Sequence, residues 1–252
     1  MGIAIVTGAQ RGMGKAIALG LAAAGFDVAV VDLEVTDALK DVGAQIASKG
    51  VKSVALACNI GDITAHEGML AAAEAALGPV TTLVNNAGVS VRSRGDLLDV
   101  TPDSYDHCLN INTRGTFFLT QAFARHVRDT ITPCHRSIIT ITSANATAVS
   151  ITRGEYCISK AGASMMSKLF AARLSDEDIG VYEIQPGFID TEMVAPSKAK
   201  YDALIENGLT VIKRFGTPEE VGRIAVTLAS GLLPYTSGQA ILADGGLLTV
   251  RY

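Results

Sequence analysis

The sequence predicts an α/β fold, a doubly wound parallel β-sheet of about seven strands flanked by helices. Short β-branched runs alternate with longer helical patterns. The runs are Ile3–Thr7, Asp27–Asp32, Ser53–Ala57, Thr82–Asn85, Ser137–Thr142, Val181–Gln185 and Ala240–Ala243. They are mostly apolar without alternation, as strands covered on both faces are. A glycine-rich turn follows the first of them.

The helices fill the gaps. Residues 13–24 form one, with small apolar residues toward the sheet. Thr101-Pro102 reads as N-cap and N1 of a long helix running to Asp129. Glu155–Leu174 is another, and Thr217-Pro218-Glu219-Glu220 is a capping-box start for a third. No linker or repeat interrupts the pattern, so residues 1–252 are expected to form a single domain. The segment from Asp190 to Lys213 holds Pro196, several charges and little strand pattern, and is a candidate lid over the C-terminal sheet edge.

Of the 252 residues, 48% are hydrophobic and 18% charged, enough apolar material for a substantial core. The net charge is −4, and no basic stripe marks a nucleic-acid partner. No apolar run reaches the length of a membrane span. The chain opens Met-Gly-Ile-Ala-Ile-Val-Thr-Gly, so a strand begins almost at once. No signal peptide is expected, and the cytoplasm is the expected location. Cys58, Cys108, Cys134 and Cys157 form no CxxC pair and read as free thiols. His66, His107, His126 and His135 lack metal-ligand spacing, and no metal is expected.

Thr7-Gly8-Ala9-Gln10-Arg11-Gly12-Met13-Gly14 closes the first strand and opens the first helix. In that context the glycines read as a dinucleotide-binding turn of Rossmann type. Gly8 allows the tight turn, Gly12 a close approach of the pyrophosphate, and Gly14 tight helix–strand packing. The helix N-terminus offers free N–H groups to the phosphates. Asp32, ending the second strand, can accept from both adenine-ribose hydroxyls and would repel a 2′-phosphate. NAD is therefore expected rather than NADP, although Arg11 pulls the other way.

With these residues in place, the chain resembles the short-chain dehydrogenase/reductase family, in its branch with subunits of this length. Thr7–Gly14 is similar to the family's TGxxxGxG turn, and Asn85-Asn86-Ala87-Gly88 to its NNAG motif. Asn112, Ser143, Tyr156 and Lys160 resemble the catalytic Asn, Ser and Tyr-x-x-x-Lys set. Pro186-Gly187 with Thr191 resembles the nicotinamide loop, and Asp244-Gly245-Gly246 the last turn. The resemblance implies cofactor contacts at Gly8, Arg11, Gly12, Met13, Gly14, Asp32, Asn59, Ile60, Asn86, Ala87, Gly88, Tyr156, Lys160, Pro186, Gly187, Ile189 and Thr191. It also implies a homotetramer or homodimer packed through the two long helices, which carry Phe117, Phe118, Met165, Leu169 and Phe170. One position departs: where the family commonly has an Asp for adenine, this chain has Asn59, whose amide can still bond the adenine amino group.

Tyr156 and Lys160 stand four apart on one helix face. A phenol with pKa near 10 is a poor base. A nearby ammonium is expected to lower it, so that Tyr156 takes a proton in alcohol oxidation or gives one in ketone reduction. Ser143 can hold the substrate oxygen. In the family, Lys160 also grips the nicotinamide ribose, and Asn112 supports a water linking Lys160 to solvent. No GxSxG elbow supports a hydrolase. Arg92, Arg94 and Arg153 flank the site and suit an anionic group on a small-molecule substrate.

The expected activity is NAD(H)-dependent interconversion of a secondary alcohol and a ketone, on a polyol, sugar acid or other anionic hydroxy compound. The alternative is reduction of a 3-oxoacyl group on acyl carrier protein, which usually goes with NADPH and so sits badly with Asp32. A non-catalytic nucleotide sensor on the same fold would be expected to have lost Tyr156 or Lys160.

Overall fold

The structure is a computed structural model that describes residues 1–192, 194–195 and 198–250. Seven strands form one sheet: β1 (Ile3–Thr7), β2 (Asp27–Asp32), β3 (Ser53–Ala57), β4 (Thr82–Asn85), β5 (Arg136–Ile141), β6 (Ile179–Pro186) and β7 (Ala240–Ala243). Their order is β3-β2-β1-β4-β5-β6-β7, and every pairing is parallel. The helices are α1 (Gly12–Ala23), α2 (Asp37–Ala47), α3 (His66–Leu77), α4 (Pro102–Leu109), α5 (Thr116–Val127), α6 (Gly154–Arg173), α7 (Lys198–Glu206) and α8 (Pro218–Ala229). The chain winds one way from β1 through β3 and the other way from β4 through β7. This reversal opens a crevice at the C-terminal ends of β1 and β4, where ligands bind in such sheets.

Successive β1 residues point to opposite faces, so each face has its own core. Ala4 and Val6 pack with Ile17 and Leu21 of α1, Val42 of α2 and Val221 of α8. Ile5 packs with Leu70 of α3 and Phe123 of α5. This double cover explains why the strands read as continuous apolar runs.

Both ends of the fifth and sixth strands shift from the expected Ser137–Thr142 and Val181–Gln185 to Arg136–Ile141 and Ile179–Pro186. β5 starts one residue sooner, at Arg136, because Arg136 pairs with Ile179. β6 extends to Pro186, which pairs with Ala243. A larger correction concerns the helix expected from Pro102 to Asp129. It is two α-helices joined by a π-turn over Asn110–Gly115. A Cβ on Gly115 would fall 2.3 Å from the Ile60 carbonyl oxygen, so this stretch of backbone rests directly on the loop after β3. Such wide turns occur mostly at functional sites, and Asn112 sits within this one.

The candidate lid contains α7, and its Pro196, with Met193 and Ser197, lies outside the described residues. Among the described residues no helix is long and apolar enough to cross a membrane.

Candidate active site

The crevice between β1 and β4 is a cleft of about 530 Å³. Of the residues expected to contact the cofactor, Gly8, Arg11, Gly12, Met13, Gly14, Asp32, Asn59, Ile60, Asn86, Ala87, Gly88 and Thr191 line it. Thr7, Val31, Leu33, Cys58, Val89, Ile111 and Glu192 line it as well and were not anticipated. Pro186 and Gly187 end β6 beside β7. Ile189 is buried in the core and faces the neighbouring cavity by Phe188.

The turn after β1 is shaped for an anion. Gly12 has φ +53°, a conformation that side-chain-bearing residues rarely adopt. A Cβ on Gly14 would stand 2.0 Å from Gly8 O, so only glycine lets α1 start this close to the strand. α1 has no side-chain cap, whereas Thr36, Thr101 and Thr217 cap α2, α4 and α8. Its first N–H groups and the positive end of its dipole therefore face the cleft without a protein acceptor from the cap.

Asn86 supports this turn from below. Its Nδ2 donates to Thr7 O at 2.9 Å and to Gly8 O at 3.0 Å. Thr7 Oγ1 accepts from the N–H groups of Asn86 and Ala87 at 3.1 and 3.0 Å. The side chains of Thr7 and Asn86 thus tie the ends of β1 and β4 into one floor. At the end of β2, Asp32 accepts from Leu33 N at 2.8 Å and Gln10 N at 3.1 Å. Arg11 is paired across the mouth with Glu192, 3.0 Å away.

The residues expected to carry the proton transfer gather beside Gly88 at the edge of the cleft, where Asn112 and Lys160 approach it. Ser143 ends β5 and caps a short helical turn, its Oγ accepting from Asn145 N at 3.1 Å. Its hydroxyl also lies close enough to the Tyr156 phenol to favour the ionised form. Lys160 is 7% exposed. Its Nζ donates to Ile141 O at 3.1 Å and lies 5.8 Å from the Tyr156 ring centre. Asn112 Oδ1 accepts from Val89 N at 2.8 Å, while Nδ2 donates to Val89 O and Ser159 Oγ, both at 2.9 Å. The Asn112 side chain thus clamps the loop after β4 to α6.

The expected charge balance at Tyr156 needs correction. Burial pushes the phenol above its ordinary value, and the Ser143 hydroxyl and the Arg153 guanidinium oppose that rise. Lys160 does not supply the offset. Burial pulls its own ammonium down to about 8, against the charge of Glu183.

The three arginines separate. Arg153 lies 5.4 Å from the centre of the Tyr156 ring and donates to Asn145 Oδ1 at 2.8 Å. Arg92 is drawn onto α4 by Asp103 at 2.7 Å. Arg94 is exposed and makes no ion pair among the described residues. All four cysteines are free, Cys58 and Cys108 buried.

The comparisons agree with this arrangement. A family model described as Enoyl-(Acyl carrier protein) reductase matches residues 8–248. The crystal structure of a 3-oxoacyl-[acyl-carrier protein] reductase from Brucella melitensis in complex with NAD superimposes with a TM-score of 0.96. It is 40% identical, over 100% of this chain and 98% of that one. An Agrobacterium tumefaciens structure with bound NADP has a TM-score of 0.85 and 30% identity, over 98% and 96% of the chains. The 2-dehydro-3-deoxy-D-gluconate 5-dehydrogenase of Dickeya dadantii is 30% identical, over 98% of this chain and 95% of its own. The chain belongs to the short-chain dehydrogenase/reductase family and is a nicotinamide-nucleotide-dependent oxidoreductase acting on CH–OH groups.

Proposed function

We propose that this enzyme interconverts a secondary alcohol and a ketone with NAD(H), on a small substrate carrying an anionic group. The observation that carries the reading is Tyr156, with Arg153 over its ring and Ser143 near its phenol. The nucleotide supplies or accepts hydride when bound. Ser143 Oγ holds the substrate oxygen, and the Tyr156 phenol oxygen takes its proton in oxidation or returns one in reduction. Arg153 stabilises the phenolate, and the Lys160 ammonium, 5.8 Å from the Tyr156 ring centre, serves in our reading to grip the nicotinamide ribose. Arg153 offers a fork of donors to a carboxylate or phosphate next to the reacting carbon.

Asp32 and the Arg11–Glu192 pair favour NAD. In this reading the Asp32 carboxylate would repel a 2′-phosphate, and the guanidinium of Arg11 is engaged by Glu192. Fluorescence titration with NADH and NADPH tests this, followed by oxidation assays on polyols and sugar acids. Tighter binding of NADPH would refute the cofactor assignment.

Reduction of 3-oxoacyl thioesters is a second reading, favoured by the name and 40% identity of the Brucella structure. Asp32 weighs against the NADPH such reductions usually use. The segment 190–213, tied to the glycine turn by Arg11–Glu192, serves in our reading as a lid. Met165 and Leu169 of α6 are 54% and 57% exposed, which supports a dimer or tetramer packed through the long helices. Free thiols at all four cysteines support a cytoplasmic location.

A further inference from the structure

The sheet face beneath α6 is polar where an apolar core is the rule. Glu183 stands in the middle of β6 and is 1% exposed. Its carboxylate accepts from Thr142 Oγ1, from Gln185 Nε2 at 2.8 Å and from Ser164 Oγ at 2.9 Å. These donors are neutral, so they solvate the negative charge without cancelling it. Among the described residues Lys160 is the only buried lysine or arginine.

The same two elements hold both charges. Ser164 follows Lys160 by one turn of α6, so the two side chains share a face. Thr142 follows Ile141, whose carbonyl accepts from Lys160 Nζ. The proton transfer described above makes no use of Glu183, yet a buried carboxylate without a counter-ion is costly.

We propose that Glu183 is a positioning residue whose buried carboxylate is the fixed counter-charge of the Lys160 ammonium. The proposal rests on the catalytic reading of Lys160 given above. Burial alone drives an amine to shed its proton, and the Glu183 charge is the first influence opposing that in Lys160. The other ionisable groups around Lys160 do not replace it. Tyr156 and Cys108 are held up by burial, the thiol at about 11, and so are uncharged near neutrality. Glu155 is turned onto Ser104 of α4 at 2.6 Å, Arg92 is paired with Asp103, and Arg153 adds positive charge on the far side of Tyr156.

The test follows the ¹³Cε resonance of Lys160 against pH in the parent and in Glu183→Gln, alongside kcat. The Lys160 midpoint is expected to fall by about one pH unit or more, a tenfold change in proton affinity. The kcat of the variant relative to the parent is expected to drop about tenfold between pH 6 and pH 9. An unmoved midpoint overturns the proposal, whatever happens to the rate. A moved midpoint with a pH-independent rate ratio supports the counter-charge and overturns the catalytic reading of Lys160 instead. If Glu183→Gln does not fold, Lys160→Met is examined by isotope-edited infrared spectroscopy. Loss of the ammonium is expected to shift the frequency of the Glu183 carboxylate band, and a band unchanged from the parent's overturns the proposal.

Discussion

The guanidinium of Arg153 lies over the ring of Tyr156, 5.4 Å from its centre, and is anchored by Asn145 Oδ1 at 2.8 Å. Asn145 also donates its backbone N–H to Ser143 Oγ. Arg153 is thus coupled to both groups proposed to meet the substrate oxygen. Cation–ring contacts of this kind are worth about 0.5–2 kcal/mol.

Arg153→Ala has a signed consequence. Arg153 favours the phenolate, so its loss moves the Tyr156 phenol further up from a value burial already raises. Oxidation needs the phenolate, and its rate–pH curve is expected to shift alkaline. Reduction needs the phenol and is expected to persist to higher pH. KM for anionic substrates is expected to rise about tenfold, or 1.4 kcal/mol, over neutral ones. Steady-state kinetics on matched substrate pairs check both effects, and equal KM changes for both classes remove the anion reading.

Tyr156→Phe keeps the ring under Arg153 and deletes only the oxygen that moves the proton. We expect kcat to fall by about 10²–10⁴, the usual worth of a positioned acid–base group. NADH affinity, measured by fluorescence, is expected to stay within about twofold, because the cleft wall is made by the β1 and β4 turns. Retention of most activity overturns the assigned mechanism.

Much of this was legible in the chain because close backbone approach leaves few residue choices. Gly8, Gly12 and Gly14 mark the turn since side chains there meet either a positive φ or the Gly8 carbonyl. Tyr156 and Lys160 share a helix face by spacing alone. The π-turn was not read, because helix periodicity does not register one wide turn. Gly115 inside an otherwise helical run was its one signal. Glu183 was missed for a related reason: one charge within the apolar run Ile179–Pro186 disappears in a strand pattern. Arg92 and Arg153 look alike in sequence, and the choice between them is made by Asp103, on a different helix. The pKa expectation at Tyr156 failed because spacing reports proximity and not burial.

The nucleotide preference should respond to the Arg11–Glu192 pair. Glu192→Ala frees a guanidinium at the cleft mouth, and Asp32→Ala removes the carboxylate proposed to repel a 2′-phosphate. The double variant is expected to gain about tenfold in NADPH over NADH affinity, equal to 1.4 kcal/mol. Both partners of the pair are more than two-thirds exposed, so Glu192→Ala alone should cost little stability. An unchanged ratio of dissociation constants in the double variant rules out this basis for selectivity.

Asn112 should matter to stability as much as to activity. It is 2% exposed, and Asn112→Ala removes the partner of both the Val89 N–H and the Val89 carbonyl, while the Ser159 hydroxyl keeps its bond to the Tyr156 carbonyl. Unpaired buried groups cost about 1–3 kcal/mol each where water cannot reach them. For a protein of this size each kcal/mol lowers Tm by about 2–4 °C. Asn112→Asp keeps the acceptor for Val89 N but sets a carboxylate against the Val89 carbonyl, so it should be no more stable than the alanine variant. Calorimetry on both, with amide hydrogen exchange at Val89, separates loosening of this loop from global unfolding. Protection at Val89 unchanged in Asn112→Ala would show that the clamp does not hold the loop.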